Sequence, residues 1–343
     1  MKSSARAPRR DDGIGKEEWG MKLGKPVLWI VCLLFCLAFA AGCQPKNAAT
    51  TGGTAANSGE WLSVQDATGE TVRLAKKPER VVVLSPSLLE FVDAAGGNIV
   101  GRADAGKSRI PDRFQSAEPV GHVYNVNIEK VVALKPDLVL ANKNQHLKFR
   151  DILKTNHIPV LYLQPKTYED VKEALTLIGK VYGTTDLVQK KAAAMDGEIA
   201  ALRAKLPKVQ EKIVILHATP SNVSVELDNS IAGSTAKLLG FTNVASGGKA
   251  IEGRPDKTPY SMEALVEKDP DVLFITSMGE HGKIEARLKK DVQGNPAWSS
   301  LRAVRTGKVY VLPENLFLLN PGLKYPEAVK FMAKDLYPEV LGK

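Results

Sequence analysis

Short apolar runs alternate with amphipathic stretches along most of this chain, a pattern that predicts an α/β protein. A first series of strand-like runs reads RVVVL at 80–84, NIVGRA at 98–103, DLVLA at 137–141 and PVLYL at 159–163. A second reads KIVILHA at 212–218, VSVEL at 223–227, DVLFIT at 271–276 and KVYVL at 308–312. Unbroken Val, Leu and Ile suit strands covered on both faces, as in sheets flanked by helices. The folded part, roughly 61–343, exceeds a typical single domain, so two α/β lobes are expected, at 61–167 and 207–343.

Between them, at 168–206, apolar residues recur at threes and fours: Val171, Leu175, Ile178, Val181, then Leu187, Met195, Ile199 and Leu202. This predicts a connecting helix, a rigid spine that would reach about 58 Å if unbroken. Gly183-Thr184-Thr185 near its middle leaves the alternative of two helices broken at Gly183.

The N-terminus follows a different pattern. From Val27 to Ala41 runs an uncharged, almost wholly apolar segment preceded by Lys22 and Lys25. It is too short for a comfortable membrane span and reads as the apolar region of a secretory signal. It ends in Ala-Ala-Gly-Cys at 40–43, which resembles the lipobox of bacterial lipoproteins, although Ala40 stands where Leu is usual. Cleavage there would leave Cys43 as the lipidated first residue, anchoring the protein on the outer face of the cytoplasmic membrane; a plain signal peptide cleaved nearby is the alternative. Residues 1–42 are thus a signal region, with Met21 as a second candidate start, and the small polar residues of 43–60 a flexible tether. Cys32 and Cys36 leave with the signal, so no intramolecular disulfide is expected. Removing 1–42 leaves 40 Lys and Arg against 34 Asp and Glu, spread along the chain, which gives no argument for nucleic acid.

One phrase occurs twice: NIEKVVALKPDLVLA at 127–141 and SMEALVEKDPDVLFI at 261–275. In each a Glu begins a short helix, a Pro-Asp pair ends it, and a buried strand follows. Proline opposes helical continuation and Asp supports the turn, so folding accounts for the pair. For Glu129 and Glu263 the helix dipole offers a local reason.

No G-x-G-x-x-G after a strand, P-loop, H-E-x-x-H or G-x-S-x-G occurs, so no enzyme chemistry is expected. Five His with no ligand-like spacing argue against free transition-metal binding, and neither a bound cofactor nor a metal site is expected. The stretch 78–106, both copies of the phrase, NPAWSSLRAVRTGKVYVLP at 295–313 and NPGLKYPEAVKFMAKDLYPE at 320–339 together resemble the substrate-binding lipoproteins of ABC importers for iron complexes and vitamin B12, in family order over nearly all of 61–340. That resemblance implies two α/β lobes joined by one long helix, of the class III periplasmic-binding-protein type, with ligand in a shallow cleft between them. It also implies that Glu129 and Glu263, one per lobe, pair with arginines of a permease dimer working with its ATPase subunits, the binding protein itself being a monomer.

Loops at the carboxyl ends of strands should line the cleft. These supply Ser85 and Ser87, Arg102, His122 and Tyr124, Asn142 and Lys143 in the first lobe, and His217, Ser221, Met278, His281 and the segment around Asn315 and Phe317 in the second. Three ligand classes remain open. Haem would need an axial group, for which Tyr124, His122, His217, Met278 and His281 are candidates. The segments from Lys212 to Ala245 and Phe274 to Gly282 are similar to the haem-binding branch, but Val92 stands in the helix where that branch supplies a ligand. An anionic ferric siderophore would need cations such as Arg102, Lys107, Lys143 and Arg254. Cobalamin would need aromatic walls, for which Tyr124, Tyr260 and Phe317 are available. An iron complex, ferric siderophore or haem, ranks above cobalamin, and a hydrolase or free-metal binder ranks below both.

Overall fold

The computed structural model describes residues 59–104, 110–208, 211–318, 320–334 and 336–342. The signal region, Cys43, Lys107 and the tether up to Ser58 lie outside the described residues.

An antiparallel hairpin comes first, β1 (Leu62–Gln65) with β2 (Thr71–Leu74). Its turn is folded locally, the Asp66 carboxylate accepting from the Thr68 N–H at 2.7 Å, and it is stitched to the neighbouring sheet by the Ala67 N–H and the Tyr162 carbonyl at 2.8 Å. The first sheet contains β3 (Val81–Val83), β4 (Gly101–Asp104), β5 (Glu118–His122), β6 (Asn125–Val126), β7 (Leu138–Asn142) and β8 (Val160–Leu163) in the order β6-β5-β4-β3-β7-β8, parallel except for β6. The second contains β9 (Lys212–Ala218), β10 (Val223–Glu226), β11 (Thr242–Asn243), β12 (Lys257–Pro259), β13 (Val272–Ser277) and β14 (Val309–Val311). Its order is β12-β10-β9-β13-β14, with β11 also on β9 and with β10 and β12 antiparallel to their neighbours.

Helices cover both sheets: α1 (Pro86–Ala94), α2 (Ile128–Ala133), α3 (Lys143–His146), α4 (Arg150–Thr155), α5 (Tyr168–Tyr182) and α6 (Thr185–Lys205), then α7 (Ile231–Leu239), α8 (Met262–Lys268), α9 (His281–Leu288), α10 (Arg302–Arg305), α11 (Glu314–Phe317), α12 (Tyr325–Lys334) and α13 (Pro338–Leu341). The spine expected over 168–206 is corrected in length. Gly183 takes a left-handed φ of 69° and closes α5, and α6 folds back along it, so that the Tyr168 hydroxyl and the Lys172 ammonium both reach Asp196, at 2.9 and 3.1 Å. A glycine adopts that conformation without the Cβ penalty other residues carry. The helix that joins the lobes is α6, which starts against α1, where the Thr184 hydroxyl donates to the Ala95 carbonyl at 2.9 Å, and runs past α12 to β9. Its 21 residues make it about 32 Å long.

The packing unites the lobes on one side and separates them on the other. A single hydrophobic cluster runs from Val81 and Leu140 through Phe91, Leu175, Ile178 and Met195 to Ile215, Ala236 and Met332. The outer face of each sheet has its own cluster, around Val82 and Val139 in one and Val214 and Leu273 in the other.

The repeated phrase is a repeated fold unit. Asn127 caps α2 through the Lys130 N–H, and Ser261 caps α8 through the Ala264 N–H. Each Pro-Asp follows a residue of positive φ, Lys135 or Asp269. Each Asp then fastens the start of the adjacent strand: Asp137 accepts from the Glu79 and Arg80 N–H groups before β3, and Asp271 from Lys212 N–H in β9.

Candidate functional site

The carboxyl ends of β3, β7 and β8 open on a cavity of about 230 Å³ between the lobes. Four segments of the first lobe line it: Ser85, Pro86 and Ser87 after β3, Val123 and Tyr124 in the β5–β6 turn, Asn142, Asn144 and Gln145 after β7, and Pro165 and Lys166 after β8. The second lobe contributes Ile231 at the start of α7 and Leu318 and Asn320 beyond α11. Ends of parallel strands gather at this cleft because each strand must hand its chain to a crossover helix there.

Helices α1, α5 and α7 all begin at the cavity, and their partial positive ends favour anionic groups. Their first turns differ. A capping box between Thr167 and Asp170 closes α5, and Ser230 caps α7 through the Gly233 N–H. No side chain caps α1, where Pro86 occupies the first turn and the hydroxyls of Ser85 and Ser87 lie 2.9 Å from each other.

His146 sits behind this wall, fully buried. Its Nδ1 accepts the Asn142 N–H at 3.0 Å, which leaves the proton on Nε2 to be donated to the Val123 carbonyl at 2.9 Å. One imidazole thus fixes both the Asn142 corner and the Val123-Tyr124 turn. Burial lowers its pKa from the ordinary value of 6.5, keeping it neutral.

A row of charges runs from Lys166 at the cavity into the second lobe. Lys166 Nζ is 3.0 Å from Asp256 Oδ1, and Lys257 Nζ is 3.8 Å from Asp256 Oδ2 and 3.3 Å from Glu226 Oε1. Glu226 Oε1 also lies 3.2 Å from His217 Nδ1 and accepts the Thr276 hydroxyl at 2.6 Å. Burial works against the Glu226 charge, yet His217, Lys257 and Thr276 outweigh it and hold the carboxyl down at about 2.

Residues 81–316 match the family model described as periplasmic binding protein. The chain belongs to that family. It is 29% identical over 320 residues to the Fe(3+)-citrate-binding protein YfmC of Bacillus subtilis, covering 91% of this chain and 96% of that one. Its fold is similar to an ABC transporter substrate-binding protein from Listeria monocytogenes EGD-e, with a TM-score of 0.67, 22% identity, and coverage of 76% of this chain and 99% of that one. It is also similar to S. aureus IsdE complexed with heme, with a TM-score of 0.64, 21% identity, and coverage of 75% and 98%. The two lobes, the single joining helix and the cleft between them are the class III architecture of periplasmic binding proteins.

Against this frame the residues expected at the cleft divide. Ser85, Ser87, Tyr124 and Asn142 line the cavity. Arg102 does not, because it is buried and ties β4 to the next loop through the Phe114 carbonyl at 2.9 Å and Asp104 at 3.5 Å. The exposed His122 lies 3.2 Å from the Asp104 carbonyl. Lys143 is turned to the Ala67 carbonyl at 2.9 Å, holding the first hairpin. His217 is buried in the charge row, and Phe317 is buried against Phe331. Tyr260 packs on the outer cluster of the second sheet, its hydroxyl buried without a partner and pushed up to about 12 by that burial. Ser221, Met278 and Arg254 are exposed outside the cavity lining, and the exposed His281 lies 3.5 Å from Glu285. Sequence reasoning missed Gln145, Lys166, Asn320 and the bracing His146. Among the described residues no group of His, Cys, Asp and Glu could hold a metal ion, and no helix is long and apolar enough to cross a membrane.

Proposed function

We propose that this periplasmic binding protein captures an iron complex in the interlobe cavity and delivers it to a membrane ABC permease, without catalysing a reaction. The observation that carries the reading is the cavity itself. Hydroxyls and amides of Ser85, Ser87, Asn142, Asn144 and Asn320 meet the starts of three helices there, a setting suited to an anionic, oxygen-rich ferric chelate. The relative named for Fe(3+)-citrate supports the same class. Lipid on Cys43 would hold the protein at the outer membrane face, with the tether giving reach. Exposed Glu129 and Glu263, one per lobe at equivalent helix starts, would dock a monomer onto a permease of two equivalent subunits.

Haem is the second reading, favoured by Tyr124, which is 67% exposed and presents a phenol at the cavity rim. Titration of purified protein with ferric citrate, a ferric catecholate, haem and cobalamin separates these readings. Saturable one-site binding of a ferric chelate is expected. A haem absorption band that shifts on binding and is lost in Tyr124→Phe would move the assignment to haem, and binding of none of the iron complexes would overturn the proposal.

A further inference from the structure

Among the described residues that line the cavity, Lys166 carries the one formal charge at neutral pH. Its backbone is fixed on three sides: the Lys166 N–H donates to Asp170 at 3.1 Å, the Tyr325 hydroxyl to the Lys166 carbonyl at 2.9 Å, and the Asn320 amide to the Pro165 carbonyl at 2.6 Å. Its ammonium is held by Asp256, and Asp256 is backed by Lys257 and through it by buried Glu226. Signs alternate along this row, so each charge is steadied by the next. Asp256 uses part of the donor capacity of an ammonium with three protons, leaving donors for a ligand. A head group placed in advance loses little freedom when ligand arrives.

We propose that Lys166 is the specificity-determining residue that selects anionic complexes over uncharged ones, its ammonium receiving an anionic oxygen of the chelate while Asp256 holds it in place. This rests on the iron-complex reading above and names the residue that would set its charge preference.

The test compares ferric citrate with an uncharged ferric trihydroxamate by calorimetric titration of wild type, Lys166→Met and Lys166→Arg. Lys166→Met should bind ferric citrate roughly 10- to 100-fold more weakly, as expected for loss of a charged hydrogen bond. Binding of the uncharged complex should be little altered, and Lys166→Arg should recover most of the loss. Wild-type affinity for ferric citrate should also fall with added salt, and Lys166→Met should flatten that dependence. Equal losses for both complexes would mark Lys166 as merely structural and overturn the inference, as would an unchanged Lys166→Met or a wild-type affinity insensitive to salt. A wild type that binds only the uncharged complex overturns this inference and leaves the iron-complex reading standing. A wild type that binds no iron complex removes both.

Discussion

The two lobes face one cavity with opposite means. Lys166 apart, the first presents neutral hydroxyls and amides at strand ends, set by backbone position and braced by a neutral imidazole. The second keeps a buried polar cluster one layer back, in which Lys257 Nζ and His217 Nδ1 both lie against Glu226. Neutral donors need no counter-charge, so each can be altered almost alone. Buried charges stand only together, and removing one strands the others. Damage should therefore spread in the second lobe and stay local in the first. Glu226→Ala leaves Lys257 and His217 facing a cavity, and should cost about 3–5 kcal/mol in a denaturant titration. Asn142→Ala removes the side-chain cap of α3 and should cost about 1 kcal/mol. Equal losses would erase the distinction. The Glu226 contribution has a pH signature as well: its folded pKa is depressed, so the stabilisation is full above the unfolded value of 4.5 and is lost as pH falls toward about 2.

A second contrast lies between what joins the lobes and what parts them. The helical side shares one hydrophobic cluster, while the cavity side is open. Closure by a wide swing would tear the shared cluster, so ferric citrate should produce a rotation of only a few degrees in solution scattering. The bend at Gly183 belongs to the joined side. A Cβ there would meet the Trp61 ring at 3.0 Å and sit at positive φ. Gly183→Ala should cost about 1–2 kcal/mol in thermal unfolding, and a neutral result would show that the α5–α6 turn can relax.

The same contrast decides what was legible in the sequence. All eight strands read from Val, Leu and Ile runs form; in most of them nearly every residue is buried and shows it, while β14, an edge strand with Val311 exposed, was read from its β-branched residues. The strands β1, β2, β5, β6, β11 and β12 lack such runs and were not read; pairing holds them, β1 with β2 and β6 with β5 in local hairpins and β11 and β12 on the edges of β9 and β10. The break at Gly183 stood in the sequence as an alternative, but the fold-back of α6 depends on contacts such as Lys172 with Asp196, which no local pattern announces. At the site, strand-end reasoning reached Ser85, Ser87 and Asn142 since it needs only the ends of β3 and β7, while Tyr124 stood among the loop candidates without the strand β5 that precedes it. Applied to β8 it would have reached Lys166, which stands between PVLYL and the Thr167/Asp170 capping pair. His146 gave no signal, since its role comes from the Val123 carbonyl, 23 residues away in sequence. Arg102, Lys143 and His217 were misplaced for a common reason: a polar side chain near a strand end can turn inward when a carbonyl or carboxylate awaits it.

His146 sharpens the comparison in the acid range. Its folded pKa is lowered by burial, so the unfolded chain binds its proton first and stability should decline as pH falls below about 6.5. Protonation also sets an N–H against the Asn142 N–H, so ferric citrate affinity should weaken over the same range. His146→Gln should remove both slopes. A slope that persists in the variant would assign it to other groups.

The smallest effect on folding is expected where the lobes are alike. Glu129 and Glu263 occupy the same place in α2 and α8, exposed and one residue inside the first turn. The caps remain without them, because Asn127 and Ser261 hold the helix starts through Lys130 and Ala264 N–H groups. They differ in one respect. Glu263 accepts the Ser261 hydroxyl at 2.8 Å, and its own backbone N–H together with that hydroxyl lowers its pKa from 4.5. Its stabilisation is present above that value and fades as pH falls below it, so Glu263→Ala should flatten the acid slope of stability. At neutral pH either variant should move the melting temperature by less than about 2 °C and leave ferric citrate affinity unchanged. Uptake by the assembled importer in vesicles should nevertheless fall in each, and further in the double variant, if the paired carboxylates orient the protein on its permease. Full uptake with a clear loss of stability would return both residues to the helix dipole, leaving the repeated phrase as two copies of a fold unit.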